Sequence, residues 1–194
     1  PSRGLGDVYK RQDGTQEQLN LEKVHKMVEF ACEGLAGVSE SQVEIQSQLQ
    51  FCDGIKSSDI QEILIRSASD LISEEHPNYQ YVAARLLLFG LRKAVHGHPE
   101  ILPPLLEHIK GCVDKGVYDG TIVNRYSEEE WDRINSFVEH ERDYLFTYAG
   151  LRQVVDKYLV QDRSTGQHYE SPQQMYIMIA ATLFANYPTE TRLD

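Results

Sequence analysis

The strongest constraint on the fold is a segment that is apolar on nearly every side, YVAARLLLFGLRK at residues 81–93. A helix of that kind has no polar face to turn toward water, so other helices have to cover it. The sequence upstream supplies them, because apolar residues recur at helical spacing in residues 21–35, 43–52 and 60–72. The sequence therefore predicts a mainly α fold that begins with a small bundle of about four helices.

Two β-hairpins are predicted beside the helices. Residues 8–11 and 16–19 can pair across the sequence QDGT, because Asp-Gly is a strong signal for a hairpin turn. This first hairpin is expected to cap the bundle. The segment KYLVQDRSTGQHYE, residues 157–170, indicates a second hairpin later in the chain.

A linker separates the bundle from a second helical segment. The sequence HGHPEILPP contains one Gly and three Pro, so we place a domain boundary near residues 97–104. Helices are predicted beyond it at residues 105–115, 127–138, 141–157 and 171–186. Four helix starts carry a capping box, in which two side chains satisfy each other's end amides. These are Ser41 with Glu44, Ser58 with Gln61, Ser127 with Glu130, and Ser171 with Gln174, the last with Pro172 at the first helical position.

Composition excludes several classes of function. The 19 Lys and Arg residues against 30 Asp and Glu residues give a formal charge of −11, which disfavours a nucleic-acid partner. Cys32, Cys52 and Cys112 have no zinc-site spacing, and no histidine pair has metal-ligand spacing, so no metal site is predicted. No secretory leader or membrane-spanning run is found, which predicts a cytoplasmic protein without a membrane partner. Because the chain begins with Pro1 and ends in NYPTETRLD, we expect it to be a piece of a longer protein.

The scarce positive charge gathers in a few places, and two interpretations of it stay open. Lys10 and Arg11 precede the Asp-Gly turn, Lys23 lies in the first turn of a helix, and Lys93 ends the apolar helix. Such cations can bind a phosphate together with free helix amides, or they can be ordinary solvated surface charges. Ser57 and Ser58 similarly offer hydroxyls to a ligand or to a helix cap. No complete active site is found in the sequence.

Four stretches together resemble a known family. They are DGTQEQLNLEKVHKMVEFACEGL, QFCDGIKSSDIQE, YQYVAARLLLFGLRK and DKYLVQDRSTGQHYESPQQMYIMIAATLFANYPTETRLD. In this order they are similar to the N-terminal part of the large (alpha) subunit of class Ia ribonucleoside-diphosphate reductases. The resemblance implies an ATP-cone, a helical bundle with a β cap, at residues 13–97. It implies the truncated N-terminal helical part of the catalytic domain at residues 105–194.

The resemblance also implies an effector site for ATP or dATP, with Mg²⁺ accompanying the nucleotide. Glu17 and Asn20 would read the base and the sugar, and Lys23 would meet phosphate. The residues implied are Glu17, Gln18, Leu19, Asn20, Leu21, Glu22, Lys23, Ser57 and Lys93, with Lys10, Arg11 and Phe89 as further candidates. Gln12 in KRQDG shifts Lys10 and Arg11 out of the family register, so residues 1–12 are a candidate non-native leader.

For the whole protein the resemblance implies reduction of ribonucleoside diphosphates to deoxyribonucleoside diphosphates. The catalytic cysteines would lie beyond residue 194, and no metal cofactor is expected in this chain. The implied partners are a small radical-generating, metal-containing subunit, a second large subunit, and thioredoxin or glutaredoxin as reductant. A non-enzymatic ATP-cone regulator is the main alternative, although such regulators carry a Cys-rich zinc ribbon that this sequence lacks. A helical interaction module without a nucleotide site is a third possibility.

Overall fold

The computed structural model describes residues 8–10, 16–18, 21–51 and 55–194, with the backbone alone for residues 8–10, 16–18 and 57. The chain forms two compact units. The first contains the described residues up to Leu88 together with Phe146–Leu151, and the second contains Phe89–Leu145 and Arg152–Asp194. The predicted domain boundary at residues 97–104 falls inside the second unit and stays a prediction.

The first unit contains the predicted helical bundle. Its helices are α1 (Leu21–Cys32), α2 (Glu40–Gln48), α3 (Ser57–Asp70) and the first part of α4 (Tyr79–His96). Helix α4 includes the segment that is apolar all round, and the helices bury it as predicted. The core residues Val28, Val43, Leu64, Val82 and Leu86 are completely buried. The mainly α fold class is therefore confirmed.

A three-stranded sheet accompanies these helices. Strands β1 (Val8–Lys10) and β2 (Gln16–Gln18) form the predicted antiparallel hairpin. Strand β3 (Ile55–Lys56) pairs in parallel with the other edge of β1, so the strand order is β2-β1-β3. The sequence gives no signal for β3, because a strand of two residues is too short to show the alternating pattern of a strand.

The second unit has its own core. Its α-helices include α5 (Leu105–Asp114), α6 (Glu128–Ser136) and α8 (Pro172–Phe184). Strands β4 (Gln161–Asp162) and β5 (Gln167–His168) form the second predicted hairpin. The core residues are Leu105, Ile109, Ile122, Tyr126, Trp131, Ile134, Ala181 and Ala185. A 3-10 helix at Gly120–Arg125, which the sequence did not indicate, supplies Ile122.

The prediction of one continuous helix at residues 141–157 is wrong. The chain instead forms a 3-10 helix at His140–Leu145, helix α7 (Tyr148–Gln153) and a π-helical turn at Val154–Tyr158. The carbonyl of His140 accepts a hydrogen bond from the Arg92 side chain, and the Asp143 side chain is buried against the same guanidinium. These tertiary contacts stabilise the 3-10 helix, and the local sequence does not contain the partner that makes them.

Two of the four predicted capping boxes are confirmed. Ser127 and Glu130 bond reciprocally at the start of α6, and the Ser171 amide donates to Gln174 at the start of α8.

The other two boxes are wrong. Helix α2 begins before Ser41, so Ser41 cannot act as its cap, and Glu44 instead pairs with His25 at 2.6 Å. Helix α3 begins before Ser58, and the Gln61 side chain donates to the Leu86 carbonyl at 2.6 Å. In both cases the side chain that the capping box would need is bonded instead to a residue distant in sequence.

Within the part of the chain that the structure describes, no helix combines the length and the apolar character that a membrane span requires.

We expect Ser127→Ala to lower the free energy of unfolding of the second unit by about 1 kcal/mol, because it removes the cap of α6. Denaturant unfolding followed by the fluorescence of Trp131, the one tryptophan of the chain, would measure the change. Ser136→Ala is the matched control, because Ser136 is exposed at the other end of α6 and its hydroxyl donates only to the Arg133 carbonyl. Equal losses in the two variants would contradict the capping assignment.

Candidate functional site

One edge of the three-stranded sheet holds the start of α3. In the register of the sheet, Lys10 lies opposite Gln16 on one side and Lys56 on the other. Ser57 follows Lys56 directly and is the first residue of α3. Backbone pairing thereby brings two of the predicted site positions close together, because Lys10 on the central strand pairs with Lys56, the residue before Ser57.

The strand that precedes α1 in sequence, β2, ends at the opposite end of the hairpin. Gln18 ends β2 opposite Val8, and α1 begins at Leu21, three residues further along the chain. Each strand of the hairpin has three residues, so its two ends are roughly 7 Å apart along the strand.

The first turn of α1 is exposed and carries mixed charge. The side chain of Leu21 is 51% exposed, and Glu22 and Lys23 are also exposed. Glu22 Oε1 lies 2.9 Å from Lys26 Nζ, one helical turn later. The hydrogen bond and the charge of Lys26 lower the pKa of Glu22. The pair offsets the Glu22 charge, which would otherwise oppose an anion at this helix terminus.

Lys93 and Phe89 lie on helix α4 in the second compact unit, whereas Lys23 and Ser57 belong to the first. Because they are four residues apart, Phe89 and Lys93 share one face of the helix. Lys93 is exposed in the last turn and Phe89 is half-buried. A cation in the last turn is also favoured by the helix dipole, so its position alone does not identify a ligand site.

Several predicted site residues fall outside the described part of the chain. Arg11, Leu19 and Asn20 are not described at all. For Lys10, Glu17, Gln18 and Ser57 the backbone is described and the side chains are not. Their assignment to the effector site therefore stays a prediction.

Two polar side chains near the predicted site were missed by the sequence analysis. Lys26 pairs with Glu22, which the i, i+4 spacing of opposite charges could have indicated. Arg92 is not among the cations that the sequence singled out, yet it is only 3% exposed. Its position four residues after Leu88, which is also buried, was the available signal for an arginine on the inner face of the helix.

The two described cysteines are buried and free. Burial raises the pKa of the Cys32 thiol to about 11, and burial likewise raises the pKa of Cys112. Both thiols are therefore protonated near neutral pH and are poor nucleophiles. Cys52 lies outside the described residues. Cys32 and Cys112 have the properties of structural cysteines.

Three histidines of the second unit, His96, His98 and His108, lie in or near the linker. His98 Nδ1 accepts hydrogen bonds from the amides of Glu100 and Ile101, which stabilises the turn of the linker. Burial lowers the pKa of His96 and of His108 to about 4 each, so both rings are neutral at physiological pH. Among the residues that the structure describes, no group of three or more His, Cys, Asp or Glu side chains is placed to hold a metal ion.

Two family models match the chain. Residues 8–94 match the ATP cone domain, and residues 144–194 match the ribonucleotide reductase all-alpha domain. The first match covers β1 to α4, which includes all the predicted effector-site residues. The second match covers α7, the β4–β5 hairpin and α8.

Curated relatives match almost the whole chain. It is 50% identical over 187 residues to the ribonucleoside-diphosphate reductase subunit alpha of Haemophilus influenzae and to the ribonucleoside-diphosphate reductase 1 subunit alpha of Escherichia coli. It is 40% identical over 181 residues to the subunit alpha of Enterobacteria phage T4. These alignments cover 96%, 96% and 93% of this chain but only 25%, 24% and 24% of the relatives. The chain thus spans about a quarter of the length of the curated relatives that it matches.

We expect Lys26→Ala to raise the pKa of Glu22 toward the value of an ordinary glutamate, because the mutation removes both the hydrogen bond and the positive charge that lower it. NMR titration of the Glu22 carboxyl carbon would measure the change. Lys110→Ala is the control, because Lys110 is an exposed lysine of α5 in the second unit. An unchanged Glu22 pKa in Lys26→Ala would show that the ion pair does not persist in solution.

Proposed function

The chain belongs to the ribonucleoside-diphosphate reductase alpha-subunit family, and on that premise we propose that residues 13–97 bind ATP or dATP as an allosteric effector. The single observation that carries the proposal is the ATP cone match over residues 8–94. The site would consist of residues 17–23 with Ser57 and Lys93. Lys10, Arg11 and Phe89 are further candidates.

The described geometry supports a phosphate at the start of α1. The first amides of a helix have no partner within the helix, and they bind anions together with the helix dipole. Lys23 lies in this first turn, where it opposes the dipole as long as no anion is bound. A bound phosphate would offset this unfavourable interaction, because the Lys23 ammonium group and the helix amides would both be attracted to its negative charge.

The other predicted contacts complete the effector site. Glu17 and Asn20 would hydrogen-bond the base and the ribose, and Phe89 would pack near the adenine. Ser57, at the start of α3, would donate its hydroxyl, and Lys93 would meet the phosphates. Any Mg²⁺ would be held mainly by the phosphate oxygens and water, which is how Mg²⁺ usually binds with nucleotides.

We infer from the relatives that the full protein reduces ribonucleoside diphosphates to deoxyribonucleoside diphosphates. Its partners would be a small radical-generating, metal-containing subunit, a second large subunit, and thioredoxin or glutaredoxin as reductant. The cytoplasm is the proposed location. The all-alpha domain match at residues 144–194 favours this reading over a non-enzymatic regulator with an ATP cone, because the match lies outside the cone itself.

The effector site is tested by Lys23→Ala and Lys93→Ala. Each change is expected to weaken dATP binding roughly tenfold or more, because a charge-assisted hydrogen bond contributes about 1.5–3 kcal/mol. Ser57→Ala is expected to cost less, about 0.5–1.5 kcal/mol, because it removes a neutral hydroxyl. Isothermal titration calorimetry with dATP, ATP and GTP would give the affinities.

The control for this series is Lys110→Ala, which makes the same change in net charge at an exposed position of α5. An equal loss of affinity in the control would mean that only the overall charge of the protein matters. If the unmodified chain bound no nucleotide, this result would contradict the proposed effector function and would favour the helical interaction module.

The chain alone should form no deoxynucleotide when it is supplied with a small subunit, reductant and effector. The described cysteines are buried with raised pKa values, and the resemblance to the family implies that the catalytic cysteines lie beyond residue 194. Product analysis by chromatography would measure turnover, with a full-length relative as the positive control. Turnover above a protein-free reaction would contradict the assignment of the catalytic cysteines to a region beyond residue 194.

A further inference from the structure

A buried ion pair lies next to the predicted phosphate contact Lys93. Arg92 Nη2 is 3.0 Å from Asp143 Oδ2, and the two side chains are 3% and 0% exposed. Both residues belong to the second compact unit. Removing one partner from a buried pair leaves an uncompensated charge, so such a pair resists rearrangement. The last turn of α4 is therefore held to the 3-10 helix at His140–Leu145.

Further contacts fix the orientation of the guanidinium. Arg92 Nη1 donates to the Tyr144 hydroxyl at 3.1 Å, and Nη2 also donates to the His140 carbonyl. The Arg92 guanidinium carbon lies 5.1 Å from the centre of the Tyr144 ring. On the far side, Gln173 Nε2 donates to Asp143 Oδ1 at 3.3 Å. We call this group, Arg92, His140, Asp143, Tyr144 and Gln173, the Arg92 network.

The Arg92 network connects the two family matches along the chain. Arg92 belongs to the ATP cone match, Tyr144 and Gln173 belong to the all-alpha domain match, and Asp143 directly precedes that match. Arg92 and Lys93 are successive residues of one helix, so their backbones move together. A ligand that shifts Lys93 must then either strain the network or shift the elements that carry Asp143 and Gln173.

We propose that Arg92 and Asp143 are positioning residues for the effector contact of Lys93 and that they couple nucleotide binding to the all-alpha domain. The inference rests on the proposed effector site. Arg92 holds the last turn of α4, so that Lys93 needs little ordering when a phosphate arrives. Through Asp143 and Gln173 the same contacts connect the effector site to the start of α8.

Asp143→Asn tests the proposal, because it keeps the shape of the side chain and removes its charge. We expect dATP affinity to fall about fivefold, the size of change typical for residues that couple sites without touching the ligand. Calorimetry should be run at a temperature at which circular dichroism shows the variant folded. We also expect hydrogen exchange in α8 to respond to dATP in the unmodified chain and to respond less in the variant.

Glu130→Gln is the matched control. Glu130 and Arg192 form another ion pair of the second unit, with side chains 13% and 11% exposed, between α6 and the end of the chain. We expect Glu130→Gln to lower the melting temperature about as much as Asp143→Asn does. Its dATP affinity should stay within twofold of that of the unmodified chain. An equal loss of affinity in both variants would overturn the proposal, because it would show a general effect of stability. Unchanged affinity in Asp143→Asn would overturn it as well.

A second variant covers the case in which Asp143→Asn does not fold. Arg92→Met combined with Asp143→Leu removes both charges, and such apolar replacements are often tolerated in buried positions. This double variant should fold and still bind dATP about fivefold more weakly, because the bonds to His140 and Tyr144 are lost. Wild-type affinity in the folded double variant would overturn the proposal.

If the unmodified chain binds no dATP, the effector function fails first, and that result is distinct from a failure of the coupling.

Discussion

The burial of α4 is the constraint on which the rest of the structure depends. Its side chains at Val82, Ala83 and Leu86 are completely inaccessible to water, and Leu88 is 1% exposed. Because burial of apolar area is the main favourable contribution to folding, a helix like this has to be surrounded. The requirement accounts for α1, α2 and α3 in the first unit. The division between the two compact units falls within this helix, after Leu88.

The few cations of this acidic chain fall into two physical classes. Lys23 and Lys93 are exposed, where an ammonium group can meet a phosphate. Arg92 is buried, and its planar guanidinium is held by Asp143, Tyr144 and the His140 carbonyl. Arginine suits such a position because it offers several donors in a rigid arrangement. A site for a small anion is compatible with a net charge of −11, because it needs only a local cluster of donors.

Regular secondary structure and the irregular stretch from His140 to Tyr158 supply different kinds of polar group. The starts of α1 and α3 supply backbone amides, and the pairing of β1 with β3 places the start of α3 next to Lys10. The irregular stretch from His140 to Tyr158 supplies the buried partners of Arg92 instead. A proposed effector site of this kind can be rigid at the helix starts and still sense a change at the end of α4.

The sequence by itself determined the elements whose signals are local. The apolar periodicity of residues 21–35 predicted α1, Asp-Gly predicted the β1–β2 hairpin, and Ser127 with Glu130 predicted the start of α6. In each case the interacting groups are close in sequence, so their pattern can be read directly. The effector-site residues came from resemblance to a family rather than from such patterns, and all of them stay predictions.

Only the tertiary structure decided the features that depend on distant partners. Strand β3 exists because β1 offers it an edge, and Gln61 bonds to Leu86 instead of capping α3. The predicted helix at residues 141–157 is divided, and its first part is a 3-10 helix whose His140 carbonyl and Asp143 carboxylate bond to Arg92, about fifty residues earlier in the chain. The physical reason is the same each time. A polar group satisfies its hydrogen bonds with whatever the fold brings near it, and the local sequence does not contain that partner.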